Sequence, residues 1–158
     1  MIEIERKFLV ISNAFKAEAT SQTKIKQGFL NTDPERTVRV RLKGNHGFLT
    51  VKGKSTNDGT SRFEWETQIG KTEAENLLKL CEKGIVDKTR YEVVVENHTF
   101  EIDVFSGDND GLIVAEVELN HVTEVFKKPL WLGDEVTGQS KYYNSQLSKH
   151  PYNTWNKQ

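Results

Sequence analysis

Charged and apolar side chains alternate along most of the chain, and this period of two limits the fold more than any other feature. Successive side chains of a β-strand point to opposite faces of a sheet. Eight segments follow this pattern, and we predict strands at 2–10, 24–31, 35–43, 47–54, 60–69, 86–96, 98–105 and 112–120. Because turn sequences rich in Gly, Asn and Asp separate them, the sequence predicts an antiparallel barrel or sandwich.

Helical patterns are few. Thr72 is followed three residues later by Glu75, which is typical of a capping box at a helix start. We therefore predict a helix over 72–82, ended by Gly84. Further helices are predicted over 139–149 and within 11–20. The length of 158 residues fits a single domain over 1–158.

The composition excludes several classes of protein. A net charge of −1 gives no overall attraction for nucleic acid or for a membrane surface. The single cysteine, Cys81, excludes an internal disulfide and a multi-cysteine zinc site. No stretch has the apolar length of a signal peptide or a membrane span. We therefore expect a cytoplasmic protein without nucleic-acid or membrane partners, and leave open whether it forms a homodimer.

The signs of the charges are segregated by strand. The first, seventh and eighth predicted strands carry mostly carboxylates, whereas the third, fourth and sixth carry mostly Lys and Arg. An ordinary sheet with its charged side in water is the simpler alternative, but such surfaces usually mix signs. A barrel with the charged face inside would set a basic wall opposite an acidic one. Its apolar outer face, including Phe63 and Trp65, would pack beneath the helices and the segment around Trp131.

The chemistry of these walls indicates a ligand. A dry interior could not hold many unpaired cations, because each unpaired buried charge costs several kcal/mol. A hydrated tunnel with carboxylate partners and a bound polyanion could hold them. Arginine matches phosphate oxygens with two parallel hydrogen bonds. Carboxylates without His or Cys partners suit a hard cation such as Mg²⁺ or Mn²⁺. Together these groups favour metal-assisted chemistry on a triphosphate.

The motif Glu3-Ile4-Glu5-Arg6-Lys7 resembles the E-x-E-x-K signature of the triphosphate tunnel metalloenzymes, also called the CYTH domain family. Later blocks follow in the family's order: Gln27-Gly28-Phe29-Leu30, Arg39-Val40-Arg41, Lys52, Arg62-Phe63-Glu64-Trp65-Glu66, Lys88-Thr89-Arg90-Tyr91, Asp103-Val104-Phe105 and Glu116-Val117-Glu118. The tail, with Lys141, Tyr142 and Asn144, is similar to that of small bacterial members. The resemblance covers essentially the whole chain.

This resemblance implies a β-rich fold, an eight-stranded antiparallel closed barrel with a few covering helices. It implies substrate contacts from Lys7, Arg39, Arg41, Lys52, Arg62, Lys88, Arg90 and Lys141. It implies Mg²⁺ or Mn²⁺ ligands at Glu3, Glu5, Asp103, Glu116 and Glu118, and catalytic roles for Glu5, Lys7, Glu116 and Glu118. Several members carry Tyr where this chain has Phe29, so any role of that hydroxyl is lost here.

Small stand-alone bacterial members resemble inorganic tripolyphosphatases, so metal-dependent hydrolysis of inorganic triphosphate is the function expected. Two alternatives keep the same scaffold, namely an adenylate cyclase and an organic triphosphatase acting on thiamine or nucleoside triphosphates. A polyphosphate- or nucleotide-binding module is the non-enzymatic alternative. The carboxylates of the first and eighth strands argue against it, because binding phosphate alone requires none.

Overall fold

Nine strands form one antiparallel sheet in the computed structural model, which describes residues 2–155. They are β1 (Ile2–Val10), β2 (Ser21–Asn31), β3 (Arg36–Lys43), β4 (His46–Gly53), β5 (Ser61–Ile69), β6 (Val86–Val95), β7 (His98–Phe105), β8 (Ile113–Glu118) and β9 (Leu132–Glu135). The first eight match the predicted strands, all within three residues at each end. The short strand β9 was not predicted.

The sheet closes because β1 pairs along both of its edges. The strand order is β5-β4-β3-β2-β6-β7-β8-β1, and β1 then pairs back to β5. One edge of β1 runs antiparallel to β8 from Glu5 to Leu9. The other edge meets β5 over Ile2 to Ile4 and then β9. The predicted eight-stranded antiparallel barrel is confirmed, with β9 as an added ninth strand.

Three short helices accompany the barrel: α1 (Phe15–Glu18), α2 (Lys71–Leu78) and α3 (Asn144–Leu147). Helix α2 begins after Gly70, whose N–H donates to Glu73 Oε1 at 2.8 Å. The capping box predicted at Thr72 and Glu75 is therefore wrong, as is the predicted end at Gly84. None of the helices within residues 2–155 is long and apolar enough to cross a membrane.

The helix predicted over 139–149 is broken. A 3-10 turn at Ser140–Tyr142 is followed by Tyr143 in an extended conformation, with φ −69° and ψ 137°, and only then by α3. Helical periodicity in this segment is interrupted because Tyr143 turns the chain between the two short helical pieces. We call residues 139–148 the C-terminal strap.

An apolar cluster covers the outside of β1, β6, β7 and β8. It contains Phe15 of α1, Phe100 and Trp131, whose rings meet edge to face. The predicted cover of the outer face by the segment at Trp131 and a short helix is confirmed on this side of the barrel.

The other side is covered differently. Helix α2 packs against β3 and β4, where Gly47 leaves room for Ala74; a Cβ at Gly47 would lie 2.7 Å from the Ala74 Cβ. Helix α2 therefore does not reach the outer face of β5, and Phe63 and Trp65 are each 49% exposed. The prediction that these two rings pack beneath a helix is wrong.

A second apolar cluster fills one end of the barrel. It joins Val86, Phe105 and Val114 of the barrel wall to Tyr142 and Leu147 of the C-terminal strap. Phe105 lies opposite Lys88 in the β6–β7 ladder, and opposite residues point to the same face of a sheet. This end of the interior is thus apolar and closed, and the charged part of the tunnel lies beyond it.

Candidate active site

A polar cavity of about 190 Å³ lies inside the barrel. Strand register explains which side chains reach it, because residues directly opposite in a ladder share a face. Glu3 lies opposite Arg62, Glu5 opposite Glu118, and Lys7 opposite Glu116. The cavity gathers eleven of the predicted site residues: Glu3, Glu5, Lys7, Arg39, Arg41, Lys52, Arg62, Lys88, Arg90, Glu116 and Glu118.

Other lining residues were not predicted as part of the site. They are Phe29, Thr37, Lys43, Glu64, Glu101, Tyr143, Asn144 and Ser145. Alternation along β5 and β7 predicts Glu64 and Glu101 on the charged faces of these strands, although neither was assigned a role, and Lys43 continues the alternation of β3. Strand alternation could not identify Tyr143, Asn144 and Ser145, because they belong to the strap, which was predicted to be a continuous helix.

The basic wall of the cavity is incompletely neutralised. Arg39 and Arg41 share one oxygen of Glu66, at 3.5 and 3.4 Å. Within residues 2–155 their Nε–H groups are buried and find no hydrogen-bond partner. Burial, with repulsion from Arg39 and Arg90, lowers the pKa of Arg41 to about 10. This wall therefore offers free donors and excess positive charge to an anion.

Asp103 belongs to the basic wall and not to the acidic one. Its oxygens accept hydrogen bonds from Arg90 Nε at 2.8 Å and Nη2 at 3.0 Å, and its Oδ2 lies 2.8 Å from Lys88 Nζ. Burial alone would raise the pKa of Asp103, but the attraction of Arg90 and Lys88 lowers it to about 2. We therefore do not retain Asp103 as a metal ligand, because two cations already occupy its oxygens.

Lys88 is almost fully buried, at 1% exposure. Burial outweighs its ion pair with Asp103 and lowers the pKa of Lys88 to about 8. Its Nζ also donates to Asn144 Oδ1 at 3.1 Å. Lys88 is thus fixed by two contacts and stays mostly cationic at neutral pH.

The acidic wall is crowded with carboxyl groups. Burial, followed by repulsion from Glu116 and Glu3, raises the pKa of Glu5 well above its ordinary value. Glu5 is hydrogen-bonded to Glu116. Burial would also raise the pKa of Glu116, but Lys7, this hydrogen bond and Arg90 hold it well below its ordinary value. The pKa values of the two carboxyl groups are therefore pushed in opposite directions, upward for Glu5 and downward for Glu116.

Glu3 and Glu64 form a similar pair. Burial and the hydrogen bond to Glu3 raise the pKa of Glu64 to about 7. Lys52 Nζ donates to Glu3 Oε1 at 3.0 Å, and Arg62 Nε lies 3.8 Å from the same oxygen. Glu3 therefore lies where the acidic and basic walls meet.

The donor set fits a hard cation. Its groups are carboxylates, which Mg²⁺ and Mn²⁺ prefer. Across residues 2–155 no three His, Cys, Asp or Glu side chains form a ready-made metal cluster. The fit depends instead on the crowding of Glu3, Glu5, Glu116 and Glu118 in one cavity, because a divalent cation would neutralise the repulsion that raises the pKa of Glu5.

Lys141 lies outside the cavity. Its side chain is exposed, and its Nζ lies 4.7 Å from the centre of the Trp155 ring and 5.2 Å from that of Tyr142. The predicted substrate contact from Lys141 is not present in this structure, because the strap carries this side chain to the outer surface.

Fold and site together define a β-barrel tunnel protein whose interior is built to hold a polyanion between a basic and an acidic wall. The chain belongs to the CYTH domain family, whose model matches residues 1–151. It is 47% identical to an inorganic triphosphatase of Acetivibrio thermocellus over 151 residues, which cover 95% of each chain. It is 37% identical to an inorganic triphosphatase of Nitrosomonas europaea over 152 residues, 94% of this chain and 97% of that one.

A solved structure agrees with this assignment. The crystal structure of the inorganic triphosphatase NE1496 superposes with a TM-score of 0.66 at 34% identity. The match covers 92% of this chain and 93% of that one. The predicted resemblance to the family of triphosphate tunnels is thereby confirmed.

Proposed function

We propose that this protein hydrolyses inorganic triphosphate with the help of Mg²⁺ or Mn²⁺. The observation that carries the proposal is the under-neutralised pair Arg39 and Arg41 facing the same cavity as the crowded carboxyl groups of Glu5 and Glu116. An anion would satisfy the first pair and a cation the second. The two relatives named inorganic triphosphatase support the choice of substrate.

The substrate would be held by the cations that line the cavity. Guanidinium and ammonium groups donate charge-assisted hydrogen bonds to phosphate oxygens. In the proposed complex these donors are Lys7, Arg39, Arg41, Lys52, Arg62, Lys88 and Arg90. Lys88 and Arg90 are preorganised to stabilise the charge of the substrate, because ion pairs with Asp103 fix both side chains before an anion arrives.

Glu5 and Glu116 would be the principal metal ligands, assisted by Glu3 and Glu118. A divalent ion bound there would neutralise charge on phosphate oxygens and favour the attack of water on the terminal phosphorus. Lys7 lies next to this pair, with its Nζ 3.9 Å from Glu116 Oε1. We propose that Lys7 stabilises the negative charge that develops on the transferred phosphoryl group.

A substrate panel tests the proposal. Phosphate release is measured from tripolyphosphate, pyrophosphate, ATP and thiamine triphosphate, each with Mg²⁺, Mn²⁺ or excess chelator. We expect tripolyphosphate to be hydrolysed fastest, and only with metal. ATP as the preferred compound with cyclic AMP as product would instead support a cyclase. Tight binding of tripolyphosphate without phosphate release would support a binding module.

A further inference from the structure

Tyr143 reaches the cavity from the C-terminal strap. Its extended backbone separates the 3-10 turn at Ser140–Tyr142 from α3, and its half-buried side chain lines the tunnel. Neither the E-x-E-x-K motif nor the strand alternation includes this residue.

The ring of Tyr143 lies beside two cations from neighbouring strands. Lys7 Nζ of β1 is 5.1 Å from the ring centre, and Arg62 Cζ of β5 is 5.9 Å from it. Cations within about 6 Å of an aromatic face are attracted to its negative quadrupole. One ring therefore contacts two of the groups that line the cavity.

Both cations have weak partners otherwise. Lys7 Nζ donates to the Tyr142 carbonyl at 3.5 Å and lies 3.9 Å from Glu116. Arg62 Nε lies 3.8 Å from Glu3, whereas Lys52 approaches the same oxygen to 3.0 Å. The ring is thus a main constraint on where these two side chains sit before an anion binds.

The ring itself is fixed by close packing of two loops. A Cβ on Gly59 would lie 2.3 Å from Gly138 Cα and 3.2 Å from the Tyr143 hydroxyl oxygen. The loop before β5 therefore packs against Gly138, which directly precedes the strap, and against the outer end of the Tyr143 side chain. This packing restrains the outer end of the ring.

We propose that Tyr143 is a positioning residue, whose ring face holds Lys7 and Arg62 ready for one end of the triphosphate. The inference rests on the proposed function and adds a residue to it. The aromatic face provides the effect, so the hydroxyl group is dispensable for it.

Substitution by leucine and by phenylalanine separates the ring from the hydroxyl. Tyr143→Leu removes the aromatic face, and we expect kcat/KM for tripolyphosphate to fall roughly five- to thirtyfold, mainly through KM. Tyr143→Phe keeps the face and should restore most of the loss. Tyr91→Leu is the matched control, because it removes a ring 5.7 Å from Lys16 on the outside of the barrel. Wild-type kinetics in Tyr143→Leu, or equal losses in both Tyr143 variants, would overturn the proposal.

A double-mutant cycle tests the contact directly. In an Arg62→Ala background one of the two cations is gone, so Tyr143→Leu should cost less than in the wild type. If the losses caused by Tyr143→Leu and Arg62→Ala in kcat/KM simply added in the double variant, the proposal would be contradicted. Melting temperatures of each variant show whether it is folded.

Binding separates this inference from the proposed function. The affinity for tripolyphosphate is measured by calorimetry in chelator, where no hydrolysis is expected. If the wild type binds but never hydrolyses, the proposed function fails, and the affinities of the Tyr143 variants still test the role of the ring. Unchanged affinity in Tyr143→Leu would then count against the positioning role.

Discussion

The guanidinium of Arg90 and the carboxylate of Asp103 form a two-point hydrogen bond across β6 and β7, with Nε–Oδ1 and Nη2–Oδ2 distances of 2.8 and 3.0 Å. Lys88 contacts the same carboxylate at 2.8 Å. An acidic residue in the sequence thus supports the basic wall, and we propose that the carboxylates of β1 and β8 hold the metal.

Asp103→Asn should lower stability and substrate affinity without changing the metal requirement. Removing one partner of a buried ion pair typically costs about 3–5 kcal/mol, because it leaves an uncompensated charge. Here two cations, Arg90 and Lys88, lose their anchor. We expect a lower melting temperature, a higher KM and an unchanged metal concentration for half-maximal activity. A raised metal requirement with unchanged KM would show that Asp103 binds metal after all.

Glu5→Gln should leave the fold intact and abolish hydrolysis. The carboxyl group of Glu5 has a raised pKa and a hydrogen bond to Glu116, and a neutral amide can replace it in that contact. The same change removes the charge that a divalent cation needs. Melting temperature and phosphate release check the two halves of this prediction, and wild-type turnover in the variant would exclude Glu5 as a metal ligand.

Arg39→Ala and Arg41→Ala should each raise KM and lower kcat. A charge-assisted hydrogen bond contributes about 1.5–3 kcal/mol, which corresponds to roughly a ten- to hundredfold loss in kcat/KM. Because burial and neighbouring cations lower the pKa of both side chains, the stability of the ligand-free protein should hold or rise. Kinetics and melting curves with and without tripolyphosphate measure both effects. Unchanged kinetics in both variants would contradict the assignment of this wall to substrate binding.

Lys141→Ala serves as the control for these variants. Its ammonium group lies over the Trp155 ring outside the cavity. We expect a less than about threefold change in kcat/KM, consistent with the small contribution of exposed charges. A loss as large as that of Arg41→Ala would restore Lys141 to the substrate site.

The affinity for tripolyphosphate should fall as the pH rises above about 8. The pKa of Lys88 is lowered to about 8, so its charge is lost as the pH passes through that value. A bound anion favours the charged form, so the change should appear in kcat/KM at lower pH than in kcat. Lys88→Arg keeps its charge throughout this range and should flatten the profile. A wild-type kcat/KM that is constant from pH 7 to about 9.5 would contradict a substrate contact from Lys88.

Much of the fold could be predicted because alternation is a local property of the backbone. The period of two assigns Glu3, Glu5 and Lys7 to one face of β1 without any knowledge of the neighbours. Segregation of the charges by strand then indicated that this face is enclosed. These patterns, together with the resemblance of the E-x-E-x-K motif and the later blocks to the CYTH domain family, predicted the closed barrel and most of its lining residues.

The sequence by itself therefore determined which side chains share a face, and only the tertiary structure decided what each of them contacts. The pairing of Asp103 with Arg90, the exposure of Phe63 and Trp65 and the entry of Tyr143 into the cavity all depend on how separate elements pack together. Their distances depend on strand register and on the path of the strap across the end of the barrel. Alternation along a single strand carries no information about either, because it describes the direction of a side chain and not the identity of its partner.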